Sequence, residues 1–246
     1  MRLVIVGDVG GADGGFHAGD EAMFEALLDE LTERGMTEAT LISSNPAESH
    51  TRYGRTSIMR IGFGAQTPDR ESREQRLAAV LSAVRGYAGS PASLDARWDD
   101  PTREVIVSIA ASDGLVIAGG GNLNSIWPEH IYERYALASI ATALGKPVVV
   151  SGQSLGPTFV GREGEVVGGV LAQAALVGVR ESFSAGIAKA LGTADKCLAI
   201  TLDDASWLGD GPLPTGLPTQ YVAVTIAEHG GYVAPGVFRP VIAAFL

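Results

Sequence analysis

The sequence predicts an α/β fold built on a doubly wound parallel sheet, and three observations carry that prediction. Short β-branched apolar runs alternate along the chain with segments of helical periodicity. The apolar runs are continuous instead of strictly alternating, as suits strands covered on both faces by crossover helices. The 32 glycines follow no repeat and gather where those runs end, which places turns and close backbone approach there.

Taken in order, Leu3 to Val6 is a strand ending in the loop GDVGGADGG, and Asp20 to Arg34 then sets Met23, Ala26, Leu27 and Leu31 at helical spacing. Ala39 to Ser43 and Thr56 to Phe63 are the second and third strands, and Glu71 to Tyr87 is a helix with Leu77, Val80, Leu81 and Val84 on one face. Pro101 sits at a first helical position behind Asp99 and Asp100, both capping residues, and Val105, Ile106 and Ile109 follow as its apolar face. Gly114 to Ala118 is a strand closed by Gly119, Gly120 and Gly121. Ile131 to Leu144 is a helix ended by Gly145 in the favoured left-handed position, and Pro147 to Val150 is again extended. A helix over Glu163 to Leu176, a strand over Val177 to Val179, a helix over Ser182 to Leu191 and a strand over Cys197 to Leu202 repeat the alternation.

Residues 1–209 therefore form one domain. GPLPTGLPT breaks the rhythm and predicts a linker over 210–219. Residues 220–246 begin a second domain with a strand at Tyr221 to Ile226, and too little chain follows to bury a core, so the sequence is expected to stop inside that domain.

The formal charge of −10 speaks against a nucleic-acid surface, which needs clustered Lys and Arg. Asp and Glu are dispersed, as on a solvated exterior. The single Cys197 has no partner for an intramolecular disulfide, and its apolar setting predicts a small buried side chain. The first residues offer too short an apolar stretch for a signal peptide, and no run of about 20 apolar residues follows. The expectation is a soluble cytoplasmic protein, with peripheral membrane association and homo-oligomers left open.

Ligands of an open α/β sheet collect outside the carboxyl ends of the strands. Five loops fall there. The first, Val6 to Ala22, is not a dinucleotide fingerprint, because its glycines lack GxGxxG spacing and Asp20 and Glu21 at the helix start would repel a pyrophosphate. Those acids either cap the helix or accept a sugar hydroxyl or act as a base. The second, Asp113 to Ser125, offers bare backbone at Gly119 to Gly121 with Asn122 and Asn124 beside it, unless it is only a tight turn into the next helix. The third places Ser151, Gly152, Gln153 and Ser154 behind an apolar strand. The fourth sets Arg180 between a strand and a helix, where its fork must pair with a protein acid such as Asp203 or Glu181 or with a ligand's carboxylate or phosphate. The fifth, TLDDASW, releases Asp203 and Asp204 together without the further ligands a metal would need, so no metal is expected. Of the four histidines only His17 and His229 fall in loops near the cleft, and all four are expected at the surface or as caps.

In order and content these segments resemble the polysaccharide pyruvyl transferase family. The resemblance rests on Gly19 to Ala22, Asp113 with Gly119 to Leu123, Gly145 to Pro147 with Gly152 to Pro157, Val179 to Ser184, and Leu202 to Ala205, and it spans nearly all of residues 1–209. It implies a Rossmann-like, GT-B-like first half facing a second domain. It also implies phosphoenolpyruvate as donor substrate, no cofactor, and a saccharide or lipid-linked saccharide as acceptor. Arg180 matches a family arginine associated with the donor. The substrate-binding set then comprises Gly19, Asp20, Glu21, Gly120, Gly121, Asn122, Gln153, Ser154, Arg180 and Ser184. The family's acid histidine belongs to the second half, so no catalytic residue is assigned. Two other readings share the scaffold: a nucleotide-sugar glycosyltransferase and a non-catalytic saccharide-binding protein.

Overall fold

A computed structural model describes residues 1–11, 17–94 and 100–209. The expected linker and second domain, with His229, lie outside the described residues. Up to Leu208 the chain forms one compact unit.

The elements run β1 (Arg2–Val6), α1 (Ala18–Glu33), β2 (Glu38–Ser43), α2 (Pro46–Tyr53), β3 (Thr56–Met59), α3 (Arg70–Gly89), α4 (Pro101–Ala111), β4 (Gly114–Ile117) and β5 (Gly120–Leu123). They continue with α5 (Pro128–Ala143), β6 (Val148–Leu155), α6 (Glu163–Gln173), β7 (Leu176–Val179), α7 (Ser182–Ala190) and β8 (Leu198–Ile200). The strands pair in parallel in the order β3-β2-β1-β4-β6-β7-β8, with β5 on β6, a Rossmann-like α/β sheet.

Strand β1 shows why the sequence had to be covered twice. Val4 and Val6 pack into a core with Leu77, Val105, Ile109, Ile131 and Val167 from the helices between α3 and α6. Leu3 and Ile5 point the other way, against Phe24, Leu27 and Leu28 of α1. Full burial of each such side chain contributes about 1.5–3 kcal/mol over leaving it in water. Since β1 is buried on both faces, it reads as an unbroken apolar run.

Helix starts follow local chemistry. Asp69 and Ser72 form a reciprocal capping box on α3. Asp100 caps α4 through Thr102 N at 2.8 Å, with Pro101 in the first turn as expected. Asp100 also receives two bonds from Arg76, at 2.6 and 2.8 Å, and Arg76 reaches on to the Ile61 carbonyl at 2.7 Å.

Several expectations are corrected. Helix α2 was not foreseen, although Asn45 accepts from Glu48 N, Pro46 opens the first turn and Gly54 closes the helix in the left-handed region. The triple glycine is not a strand-to-helix turn: after a break at Ala118 and Gly119 the chain re-enters the sheet as β5. Ser151 to Ser154 do not form a loop either, because β6 runs through them with a register shift between Val150 and Gln153. Strand β3 ends at Met59, short of Phe63. Cys197 sits half-buried in a short turn before β8, not in a strand core. No described helix is long and apolar enough to cross a membrane.

Candidate functional site

The order of the strands reverses between β1 and β4, so their carboxyl ends diverge and leave a crevice, the usual ligand position of this architecture. Around it stand Gly7 and Asp8 after β1, Gly119 between β4 and β5, Ser151 and Gly152 in β6, Arg180 after β7, and Asp203 and Asp204 after β8.

Asp204 ties three of these segments together. Its fully buried carboxylate accepts from Gly119 N at 3.0 Å and from the Ser151 hydroxyl at 2.9 Å. A Cβ on Gly119 would lie 2.8 Å from Asp204 Oδ2, and one on Gly152, whose φ is +44°, would overlap the same carboxylate. Both positions are glycine because Asp204 occupies the space a side chain would take. Leu202 adopts a positive φ of 67° just before the two acids. Burial raises the Asp204 carboxyl above its usual pKa, against the bonds from Ser151 and Gly119.

Arg180 lies on the same rim. It donates through Nε to the Gly152 carbonyl at 2.8 Å, touches Met23 Sδ on α1, and pairs through Nη1 with Asp203 Oδ2 at 3.2 Å. Of the two acids weighed from sequence, Asp203 is the partner, while Glu181 accepts from Ser154 at 3.1 Å and from Ser184. Asp203 in turn accepts from Ala205 N at 2.9 Å. Met23 lies one helical turn beyond Gly19, so the guanidinium stands beside the start of α1 as well as beside the Gly119 segment.

The remaining candidates divide. Gly19 and Gly121 are exposed, with open space where a side chain would be, and Asp20 is half-buried at the rim. Glu21 is not open to a ligand: its carboxylate is buried and takes Gly10 N at 3.1 Å and the Tyr53 hydroxyl. Nor does it cap α1, whose preceding residue His17 makes no side-chain cap. Ser184 is likewise enclosed, accepting from Leu155 N at 2.8 Å. Gln153 is buried and donates to the Ala118 carbonyl beside Gly120, and Asn122 is buried on the same side. The side-chain oxygens of both amides lack a partner among the described residues. Asp113 is at the other end of the sheet, holding Arg2 N at 2.7 Å.

Beneath the crevice lies a charged group that the sequence reading did not find. Glu133 is flanked by Arg60, bonded at 2.8 and 3.2 Å, and by Arg134. Burial alone would raise the Glu133 carboxyl, but Arg60 and Arg134 hold it well below the usual range. Arg134 reaches the Gly7 carbonyl at 3.1 Å, fixing the end of β1. His130, expected at the surface or as a cap, is buried within α5 instead and makes no cap. Its Nδ1 faces Arg60 at 3.4 Å and its Nε2 faces Asp8 Oδ2 at 3.6 Å. Burial and the neighbouring Arg134 push its pKa down to about 4.

Asp8, His17 and Asp20 form a second group at the mouth, one ligand atom of each lying within 4.8 Å of the others. Burial and then the Asp8 charge raise the Asp20 carboxyl. A separate apolar cavity of about 410 Å³ runs along the α1 face past Leu3, Leu31, Gly114 and Pro147. It runs from the amino ends of the strands up to Ser151 and Trp207, and its lining does not include Arg180, Gly119 or Asp204.

A family model described as polysaccharide pyruvyl transferase matches residues 17–237. The chain belongs to that family. No curated protein matches it significantly. Membership in the polysaccharide pyruvyl transferase family makes the chain a transferase relative with a donor substrate and a saccharide acceptor. The match begins at His17 and so takes in α1 and every strand after β1. In this family member one rim carries the guanidinium, the bare glycine backbone and the acids. A guanidinium can hold a phosphate or carboxylate, backbone N–H groups can approach a ligand closely where side chains are missing, and carboxylates can accept hydroxyl protons.

Proposed function

We propose that the protein transfers the enolpyruvyl group of phosphoenolpyruvate to saccharide hydroxyls, forming a pyruvate ketal and releasing inorganic phosphate. The observation that supports this most is the placing of Arg180, between the Gly152 carbonyl and Asp203 on the rim where the strand order reverses. A planar cation there suits the phosphate or carboxylate of a small dianionic acid. Arg134 and Arg60 sit deeper, engaged with Glu133, and add positive potential behind the crevice.

The chemistry proceeds as follows in this reading. Protonation of the donor's methylene carbon leaves a cationic centre at C2, and one sugar hydroxyl adds there while losing its proton. Phosphate then departs with the C–O electron pair, and a second hydroxyl adds to the regenerated cation. The demand on the protein is an acid, a base and a cationic hold on the phosphate. Arg180 meets the last demand, and Gly121 and Ser154, which are not buried, are left for the saccharide side, with Gly120, Asn122 and Gln153 behind them. Asp20 is the acid best placed to meet a hydroxyl, being half-buried at the mouth. The acceptor is a free or lipid-linked saccharide met in the cytoplasm.

The test is calorimetric titration of the full chain with phosphoenolpyruvate and, separately, with a nucleotide sugar. Arg180→Ala should weaken phosphoenolpyruvate binding by about tenfold or more, the scale of a lost charge-assisted bond. Unchanged affinity in that variant removes the assignment, and binding of the nucleotide sugar alone replaces the donor.

A further inference from the structure

We propose that Trp127 is the platform on which a sugar ring of the acceptor lies, with the Asp8 carboxylate at its edge to accept hydrogen bonds from the ring's hydroxyls. The inference deepens the function proposed above and rests on its saccharide acceptor, not on its donor. Along α5, Arg134 meets the Gly7 carbonyl at 3.1 Å, and His130, one turn earlier, faces Asp8 Oδ2 at 3.6 Å. Trp127 comes next on that face of the helix, and its indole stands edge-on to the His130 ring, with centroids 6.5 Å apart and planes at 78°. The helix thus climbs past the end of β1 and delivers an indole at the rim. One imidazole is in contact with both the indole and the carboxylate.

The turn that carries Trp127 is fixed before any ligand arrives. Buried Asn124 donates to the Gly121 carbonyl at 2.6 Å and accepts from Ile126 N at 2.8 Å, and Trp127 N bonds to the Asn124 carbonyl at 3.1 Å. The ordering cost of presenting the indole is therefore met in folding and not in binding. Gly121, exposed and without a side chain, belongs to the same turn, so bare backbone and aromatic ring are held in one rigid piece.

The size and surroundings of the open ring select the occupant. Trp127 is 41% exposed, which leaves about 100 Å² uncovered if a whole Trp side chain offers about 250 Å². That is far below the about 800 Å² per partner of a stable protein interface, and it matches one face of a six-membered sugar. The face of the indole carries partial negative charge and attracts the C–H groups that a pyranose presents on its flatter side. Asp8 is half-buried, and its contact with His130 leaves lone pairs open to hydroxyl donors. An aromatic surface with a few hydrogen-bonding groups at its edge has the make-up of a ligand site, whereas an apolar partner would have to strip water from the carboxylate. Asp8 and the half-buried Glu129 also disfavour an anion here, which leaves the phosphorylated donor to Arg180.

The experiment records saturation-transfer NMR of the full chain with methyl pyranosides of glucose, galactose, mannose and their 2-acetamido forms, one at a time and without donor. At least one is expected to bind at millimolar concentration, with the strongest transfer on the C–H groups of a single ring face. Trp127→Ala should weaken that binding by about tenfold or more, the scale of a lost aromatic anchor. Trp127→Tyr keeps a flat ring and should weaken it by about threefold or less, and Asp8→Asn, which keeps one acceptor, by about two- to fivefold. Trp207→Phe, at the apolar cavity, should leave it as it was. Absence of binding by every pyranoside overturns the proposal, as does binding that Trp127→Ala leaves unchanged or that Trp127→Tyr loses just as fully. Calorimetry of Trp127→Ala with phosphoenolpyruvate keeps the two readings apart. Unaltered donor affinity is expected, and a matching loss would mean that the indole supports the whole rim, which overturns the platform. Because the sugar titrations contain no donor, failure of the phosphoenolpyruvate reading leaves their result standing, and their failure leaves that reading standing.

Discussion

Asp204 and Gly119, 85 positions apart in the chain, are joined by a backbone-to-carboxylate hydrogen bond of 3.0 Å. The bond closes the end of β4 onto the segment after β8, with β6 and β7 lying between them in the sheet. Because the same carboxylate takes the Ser151 hydroxyl, the rim on which Arg180 stands is held from below by one side chain.

Asp204→Ala should therefore cost about 2–4 kcal/mol, since it leaves a buried N–H and a partly buried hydroxyl without an acceptor. Asp204→Asn keeps one oxygen and should cost less than half of that. Gly152→Ala should be at least as damaging as Asp204→Ala, because the added carbon overlaps the carboxylate at a backbone angle of φ +44°. Urea denaturation of the three variants checks the order.

Asp203 has the opposite meaning for the ligand. It is half-exposed and engages Arg180 Nη1, so an incoming anion must compete with it for the guanidinium. Asp203→Asn keeps an oxygen for Ala205 N but drops the charge, and phosphoenolpyruvate should then bind about two- to fivefold more tightly, the range of an exposed ion pair. Calorimetry at fixed ionic strength reads this directly. Equal or weaker binding would mean that Asp203 positions the arginine for the ligand and does not compete with it.

Asp100 supplies a test of stability in acid. Burial acts to raise its carboxyl, but bonds from Arg76 and Thr102 outweigh that and hold it down to about 2. A folded-state value below the unfolded one means the carboxylate's contribution is complete above pH of about 4 and is lost as pH falls through about 2. Asp100→Asn should retain the α4 cap, lose part of the Arg76 bond and flatten the acid limb between those values. Asp100→Ala should also lose the cap, lowering stability at neutral pH by about 1–2 kcal/mol. Denaturant melts from pH 2 to pH 7 separate the two variants.

Val4 and Ile5 announce a doubly covered strand, because continuous apolar residues with β-branching have few other uses, and the parallel sheet followed from that. Gly119 to Gly121 and Gly152 were legible as points of close approach, yet their occupant is Asp204, and a contact across 85 residues leaves no local trace. Asn45, Pro46 and Gly54 did carry a start and a stop for α2, a signal overlooked because its polar face has little apolar periodicity. Glu133 and Arg134 were hidden for another reason. They sit in α5, which the sheet, α3 and α6 all cover, so its charged residues are inside the protein. A charged pair within a helix apolar on nearly all sides is the sign that could have disclosed them. Glu21 was misjudged because a helix-start acid usually caps, whereas here Gly10 and Tyr53, both distant in sequence, claim it.

His130 gives the clearest pH signature. Asp8 faces it from the segment after β1, Arg60 from the segment after β3, and Glu133 and Arg134 from its own helix. Burial and the two cations outweigh the acids and bring its pKa from 6.5 to about 4. Between those values the unfolded chain holds a proton that the folded one refuses, so this residue makes stability fall as pH drops from about 6.5 towards 4. The loss over the whole window is about 2–3 kcal/mol. His130→Asn removes the titration, and the variant's melting temperature should decline less steeply than the wild type's across that range. Its stability at pH 7 should be lower, because the edge-on ring contact with Trp127 goes too. Parallel slopes for the two proteins would show that the imidazole is protonated in the fold, paired with Asp8 as an ion.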